Sequence, residues 1–291
     1  MKPALVSVVI PARNVAAVID EQLDALSRQR YAGAWEVVVV DNASSDDTGA
    51  RARAWGRLLP ALQVVTPTVR GGSTASLARN TGVAASRGDL VLHCDADDIV
   101  ADGWIDALVA AAAGADMVAG TVDLERLNTP RTVVRRGWRP ATDHLPVALG
   151  FLPEALGGNC AIWRRVLDDV GGWNERYLAF DDVDLAWRVQ LAGHRLVFAP
   201  GALVYHRMRP SLGALWRRTL RDGEGEVQLY ADFRAHGMPR THTGSALRAW
   251  AGRLVHLPDL VVPGHGAAYV RQTGAVLGRA RGSLRHRVLY L

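Results

Sequence analysis

Two apolar rhythms alternate along the first half of the chain. Val6 to Ile10 is a β-branched run closed by Pro11, which predicts a strand ending at a turn. Val15, Val18, Ile19, Leu23 and Leu26 then recur at helical spacing with Asn14 in the N-cap position, and Glu36 to Val40 reads as a strand ending in Asp41. A continuous run of valines is buried on both faces, so the sheet is expected to be mainly parallel with helices above and below. The unit repeats: a helix from Asp46 to about Arg57, a strand over Leu62 to Val65, a small-residue helix over Ser73 to Ser86 and a strand over Leu90 to His93. A helix from about Asp102 to Ala113 and a strand over Asp116 to Val122 follow. Such alternation predicts a doubly wound α/β fold.

Beyond Val122 the rhythm weakens. Between Asp123 and Pro153 lie five arginines, three prolines and His144, a composition that predicts a long excursion over the sheet rather than a new domain. Cys160 to Trp163 is a short strand returning to the core, and Arg164 to Val170 is a helix stopped by Gly171 and Gly172. Asp181, Asp182 and Asp184 open an amphipathic helix that runs through Leu191. Arg195 to Ala199 and Ala202 to Tyr205 read as two short strands. Helical spacing returns from about Ser211 to Arg234 and from Ser245 to Leu257, and Arg279 to Leu291 alternates arginine with apolar residues.

The chemistry gathers at strand ends. In a doubly wound sheet ligands sit beyond the carboxyl ends of the strands, which brings Pro11 to Asn14, Asp41 to Ser45 and Asp95 to Asp98 to one edge. Asp95, Asp97 and Asp98 place three carboxylates within four positions; they repel one another, and a cation relieves them. Such oxygen ligands suit Mg²⁺ or Mn²⁺, which takes one or two carboxylates and leaves its other positions to water and phosphate oxygens. The tripeptide alone reads more readily as a solvated cap on the next helix; the convergence of three segments is what favours a ligand site. The second cluster carries the same two readings. Acids in a first turn stabilise any helix by ~0.5–2 kcal/mol, yet three exceed what capping needs.

Composition narrows the setting. The 291 residues are 49% hydrophobic, ordinary for one large domain or a domain with an appendage. No apolar run approaches a membrane span, and Met1-Lys2-Pro3 leads into a strand rather than a secretory signal, so the expected location is cytoplasmic. Cys94 and Cys160 offer neither a disulfide framework nor metal-ligand spacing and are expected to be small buried side chains. The net charge of +5 is unevenly spread, because 14 arginines face five acids from Tyr205 onward. A basic tail on a slightly acidic body calls for an anionic partner: a membrane surface, a phosphate-bearing substrate or nucleic acid. Nucleic acid fits least, for want of interleaved stacking aromatics and of a recognised motif.

Six blocks in order make the chain resemble the inverting family 2 glycosyltransferases of GT-A fold. They are VSVVIPARN (Val6 to Asn14), VVVVDNASSDDT (Val37 to Thr48), LARNTGVAASRGDLVLHCDADD (Leu77 to Asp98), GGNCAIWRR (Gly157 to Arg165), GGWNERYLAFDDVDLAWR (Gly171 to Arg188) and YHRMRPS (Tyr205 to Ser211). The resemblance implies a GT-A domain over residues 1–210, with a nucleotide-sugar-binding half (1–122) and an acceptor-binding half (123–210), and a basic, mainly helical extension over 211–291. Carried over by position, it implies that Pro11, Ala12 and Asn14 line the nucleotide pocket, that Asp41 hydrogen-bonds the base, that Asp95 faces the ribose, and that Arg79 and Asn80 organise that pocket. Asp97 and His206 would hold Mn²⁺ or Mg²⁺, Ser211 would lie near the phosphates, and Asp182 would be the base with Asp181 in support. The family's acidic pair is commonly Glu-Asp where Asp181 and Asp182 stand, and its usual aspartate after Asp41 is Asn42 here. The Gln-x-x-Arg-Trp motif of processive synthases is absent, which implies addition of one or a few sugars rather than a long polymer.

The implied reaction moves a sugar, with inversion, from a nucleotide-diphosphate donor, UDP being commonest in the family, to a hydroxyl of a glycan, lipid-linked or small-molecule acceptor. Departure of the diphosphate builds charge that a divalent ion stabilises, and Asp182, kept ionised by its helix dipole, takes the acceptor's proton. The excursion over Asp123 to Asn159 and the C-terminal helices would wall the acceptor. Trp138, Trp163, Trp173 and Trp187 are candidate stacking platforms, and the basic tail implies peripheral membrane contact. Two readings compete. A sugar nucleotidyltransferase is opposed by the lack of glycine and lysine in Pro11 to Asn14. A non-catalytic nucleotide-sugar-binding or scaffold protein of a glycan assembly complex is opposed by the joint presence of Asp97, Asp182 and His206.

Overall fold

A computed structural model describes residues 2–68, 74–208, 211–240 and 266–290. The helix expected over Ser245 to Leu257 lies outside the described residues. Strands Val6–Ala12 (β1), Trp35–Asp41 (β2), Gln63–Val65 (β3) and Leu90–Cys94 (β4) alternate with helices Ile19–Ser27 (α1), Thr48–Ala54 (α2) and Ala75–Ala85 (α3). Ile99–Val100 (β5), Trp104–Ala112 (α4) and Met117–Asp123 (β6) follow, then Pro130–Arg136 (α5) and a hairpin of Val147–Ala148 (β7) with Leu152–Pro153 (β8). Next come Asn159–Trp163 (β9), Arg164–Val170 (α6), Asp181–Leu191 (α7) and Leu196–Tyr205 (β10), and then the helices Leu212–Phe233 (α8) and Gly266–His286 (α9).

The sheet order is β3-β2-β1-β4-β9-β6-β10-β5. β1 pairs in parallel with β2 and β4, β2 with β3, and β6 with β10. β9 enters antiparallel between β4 and β6, and β5 is antiparallel to β10. Val37 to Val40 are wholly buried, as strands covered on both faces must be. The architecture is the mainly parallel, helix-flanked sheet that the valine runs predict. Chain order reverses between β1 and β4, so their carboxyl ends flank the crevice where such sheets hold ligands. Cys94 and Cys160 are buried and unpaired.

Three local expectations are corrected. α1 begins at Ile19 rather than just after Asn14, with Val18 at the cap position. Asn14 instead adopts a left-handed conformation (φ 52°), and its Oδ1 accepts from the Ser45 amide at 2.8 Å, stitching the turn after β1 to the turn after β2. The two short strands expected around Pro200 are one strand, β10, whose register shifts between Ala199 and Leu203. Pro200 has no N–H for the ladder, and a bulge lets the strand continue past it. The excursion after β6 is organised by α5, which Thr129 caps, and by the β7–β8 hairpin.

The C-terminal helix α8 packs on α7. Val227, Leu229 and Phe233 of α8 share a buried cluster with Tyr177, Val183 and Trp187, so α8 lies against α7. At Gly225 the two come so close that a Cβ would lie 2.8 Å from the Phe180 ring. Any side chain there would push α8 off the start of α7.

Candidate active site

Two cavities meet at the sheet edge. One, of about 460 Å³, lies over the ends of β1 and β4 and is lined by Pro11, Ala12, Asn42, Asp95, Asp97 and His206 among others. The second, of about 490 Å³, runs from the start of α7 to the inner faces of α8 and α9 and contains Asp181, Asp182, Glu154 and Trp138. Asp95, Arg79 and His206 line both, so the cavities are continuous at these side chains.

Arg79 is the clamp between them. Its guanidinium is buried, with Nη1 donating to Asp181 Oδ2 at 2.8 Å and Nη2 to Asp95 Oδ1 at 3.1 Å, and it stacks 4.6 Å from the Trp173 ring. Ser76 Oγ donates to the same Asp181 oxygen at 3.0 Å. One buried cation therefore ties the end of β4 to the start of α7. Gly158 makes the approach possible, since a Cβ there would lie 2.5 Å from Asp95 Oδ2.

Asp182 stands in a different environment from Asp181. Its Oδ2 accepts from the Gly157 amide at 3.1 Å and its Oδ1 from the Val183 amide at 2.9 Å, and Arg79 binds its neighbour rather than Asp182 itself. Burial first, and the Asp181 charge second, push its pKa up to about 6 against the pull of those amides and of Arg79. The helix-dipole expectation of a strongly acidic Asp182 is thus corrected: loss of solvent outweighs the dipole. A carboxylate titrating near 6 is a better base at neutral pH than an ordinary one.

His206 follows β10, and its Nδ1 lies 3.0 Å from both oxygens of the buried Asp98, whose Oδ1 also accepts from the Arg207 amide at 2.8 Å. Burial disfavours the imidazolium, but the hydrogen bond and charge of Asp98 outweigh it and lift the His206 pKa above the ordinary range. With Nδ1 held, Nε2 is the nitrogen available for a metal, the arrangement in which a carboxylate orients a ligating histidine. Asp97 and His206 line the same cavity, and Arg207 Nε donates to the Asp97 carbonyl at 3.0 Å, which fixes the backbone between them. No group of three or more ligating side chains occurs among the described residues. The donor set fits a cation that takes two protein ligands and completes its shell from phosphate and water, as Mg²⁺ and Mn²⁺ do.

The remaining candidates divide. Pro11 and Ala12 line the first cavity, while Asn14 and Asp41 do not. Asp41 Oδ1 accepts from the Ser44 amide at 3.1 Å, and it is Asn42, donating to the Thr74 carbonyl at 3.0 Å, that faces the cavity. Asn80 binds the Trp173 backbone rather than a pocket. Ser211 Oγ accepts from the Ala214 amide at 3.1 Å and caps α8. Asp184 pairs with Arg188 at 2.7 Å and belongs to the fold, not the site. Trp163, Trp173 and Trp187 are core side chains and present no stacking face; of the four tryptophans considered, Trp138 lines the second cavity. Sequence reasoning noted Asp98 and Asn42 without giving either a role, and it passed over Glu154 and three arginines of α8, Arg217, Arg218 and Arg221, which line the first cavity. The i, i+4 spacing of Arg217 and Arg221 was a visible signal that they share a helix face.

A mainly parallel sheet with an acidic strand end beside a helix-borne carboxylate pair defines a GT-A type fold. The family model "Glycosyltransferase like family 2" matches residues 3–225, and the chain belongs to that family. It is 30% identical over 228 residues to glycosyltransferase AglE of Haloferax volcanii, covering 77% of this chain and 74% of that protein. It is also 30% identical over 283 residues to the pre-mycofactocin glycosyltransferase of Mycobacterium tuberculosis, covering 89% of this chain and 56% of that one. The chain thus spans about three-quarters of the first relative and little more than half of the second. Among solved structures, the mannosyltransferase PcManGT of Pyrobaculum calidifontis, in complex with GDP-Man and Mn²⁺, superposes with a TM-score of 0.66 at 21% identity, covering 97% of this chain and 87% of that one.

Proposed function

We propose that this chain is a metal-dependent, inverting glycosyltransferase that moves one sugar from a nucleoside diphosphate donor to an acceptor hydroxyl. The observation that carries the reading is the continuity of the two cavities at Asp95, Arg79 and His206, with Asp97 on one side and Asp182 on the other. Family membership supports the donor class, and UDP is the first candidate nucleotide.

In this reading the donor's diphosphate lies over Asp97 and His206, which would hold Mn²⁺ or Mg²⁺; the ion supplies Lewis-acid stabilisation of the leaving group's charge. Arg217, Arg218 and Arg221 face the same anion from α8, which gives part of the basic C-terminal region a role inside the cleft. Pro11, Ala12 and Asn42 border the nucleoside, and Asp95 is held by Arg79 for the ribose. Asp182 accepts the acceptor proton as the new bond forms, and a positioned base of this kind contributes about 10²–10⁴-fold. Asp181 anchors Arg79 and thereby the start of α7. Single displacement across the sugar inverts the anomeric centre, and no enzyme nucleophile is required.

Calorimetric titration with UDP, GDP and dTDP, each with and without Mn²⁺, tests the donor assignment. Micromolar binding of one diphosphate, strengthened by Mn²⁺ and weakened by Asp97→Asn, is expected. Equal, metal-independent binding of none or all would remove it.

A further inference from the structure

We propose that the second cavity is an acceptor subsite for an uncharged, polyhydroxylated ring, gripped by the carboxyl of Glu154 and the indole of Trp138, and set against anionic acceptors. The proposal rests on the glycosyl-transfer reading above and adds the acceptor class.

Charge divides the two cavities. The first is lined by Arg13, Arg79, Arg207, Arg217, Arg218 and Arg221 against two aspartates, a surplus suited to a diphosphate. The second is lined by seven carboxyl side chains against four arginines and His206, a smaller surplus of the opposite sign, with Arg218 and Arg221 reaching both cavities. A phosphate or carboxylate brought there from water meets repulsion at short range, where screening is weak. A neutral polyol meets acceptors for its hydroxyl protons.

Most acids of the second cavity are already committed. Arg79 takes Asp95 and Asp181, His206 takes Asp98, and Arg279 takes Glu226. Asp182 and Glu154 have no such cation. Asp182 is held by two backbone amides, and no described residue donates a hydrogen bond to the Glu154 carboxyl. Glu154 is half-buried beside Leu156 and Trp138, and burial, followed by the charge of Asp182, pushes its pKa up to about 7. At neutral pH it can therefore either donate to or accept from a sugar hydroxyl, which is the adaptable contact a polyol needs. With no protein donor on it, the carboxyl is free to bond water or a ligand hydroxyl in the cavity.

Trp138 supplies the apolar wall. It packs edge-on to His206, with ring centroids 6.3 Å apart, and joins the small cluster of Val122, Val133 and Met208 beneath it. A flat, half-buried indole anchored at one edge is a stacking surface for a pyranose face. The cavity, at about 490 Å³, is of small-ligand size. In the transfer, the acceptor oxygen forms its bond to the anomeric carbon and its proton passes to Asp182. The carbon–oxygen bond to the diphosphate breaks, and its electron pair leaves with the nucleotide.

The experiment uses the full chain with Mn²⁺ and measures turnover of UDP-glucose, UDP-N-acetylglucosamine and GDP-mannose, first with water alone as acceptor. Methyl β-glucoside, cellobiose and maltose are then compared with glucuronic acid and glucose 6-phosphate at equal concentration. At least one neutral sugar is expected to raise turnover several-fold above hydrolysis while the two anions do not. E154A is expected to raise the KM for that sugar about tenfold or more, the cost of one hydrogen bond to a charged group, and to leave the donor KM within about twofold. E154Q, which keeps the shape and part of the hydrogen bonding, is expected to lie between; melting curves of both variants report folding. Stimulation by the anions equal to that by the neutral sugars overturns the proposal. So does a protein that hydrolyses donor yet responds to no neutral sugar, or an E154A protein of unchanged acceptor KM. A protein that hydrolyses no donor overturns the transfer reading itself, and the acceptor assignment with it.

Discussion

Arg79 and Asp181, 102 positions apart, are joined by a partly buried 2.8 Å hydrogen bond, and the other guanidinium nitrogen of Arg79 reaches Asp95. The pair fixes where α7 begins relative to the end of β4, and hence where Asp182 stands relative to the first cavity. Lysine is a point charge and cannot bridge two carboxylates as a planar fork does. R79K is therefore expected to fold and to lose about 10²-fold or more in kcat with a smaller change in donor KM, because a misplacement of about 1 Å can cost that much. R79A leaves two partly buried acids without their cation and is expected to lose about 1–3 kcal/mol in urea unfolding.

As the proposed base, Asp182 is expected to set the pH dependence. Its carboxyl titrates at about 6, and the base form must be present for transfer, so kcat/KM is expected to fall as pH drops below about 6. D182N is expected to lose at least about 10²-fold in kcat. The same group gives a stability test of opposite direction. The folded protein holds the Asp182 proton more tightly than the unfolded chain, whose aspartates titrate near 3.9, so ionising it costs stability as pH rises from about 4 to about 6. That cost is fully present above pH 6. D182N removes it, and its melting temperature is expected to exceed that of the parent at pH 7.5 by more than at pH 4.

Asp98 is almost wholly buried and its oxygens are taken by His206 and the Arg207 amide, so its substitution tests the orientation of the histidine. D98N keeps the shape but replaces the carboxylate that fixes the histidine ring. Loss of such a partner typically weakens metal affinity about 10–100-fold. Titration of Mn²⁺ into the protein with saturating UDP is expected to show that loss, with UDP binding in EDTA little changed. Unchanged Mn²⁺ affinity would remove His206 from the metal.

Glu36 tests the fold beneath the site. It is wholly buried on β2, accepting from Ser7 Oγ at 2.8 Å and from the Arg87 amide, Nε and Nη2 at 2.6, 3.0 and 2.9 Å. Burial would raise its pKa, but the Arg87 amide, Ser7 and the Arg87 side chain together lower it. Its contribution to stability is therefore present above the unfolded glutamate pKa, near 4.3, and is lost as pH falls through the lower folded value. E36A is expected to cost about 1–3 kcal/mol in urea unfolding at pH 7, because the buried Ser7 hydroxyl and the Arg87 amide lose their acceptor while the Arg87 guanidinium stays in solvent.

The core of the sheet could be read from the chain because its valines are buried on both faces and leave an uninterrupted pattern. The position of Asp95 followed from the topology alone: any acid just past β4 must lie beside β1. Asp98 and Glu154 could not be read so. Asp98 acts through a histidine 108 positions away, and Glu154 sits in a segment whose short hairpin carries no strong periodicity. Asn14 misled because the same residue type that caps helices also tolerates a left-handed turn, and here a contact to Ser45 decided between them. The pKa of Asp182 was likewise invisible, since the dipole of α7 is written in the sequence and the burial of its first turn under α8 is not.

The central claim is that Asp182 drives a single displacement at the anomeric carbon of a metal-bound nucleotide sugar. Proton NMR of the freshly released sugar, recorded during Mn²⁺-dependent turnover of the α-linked donor that the protein accepts, reads that event directly. The β-anomer is expected to appear first, and its formation to fall at least about 10²-fold in D182N. First appearance of the α-anomer, or a D182N protein as active as its parent, would contradict it.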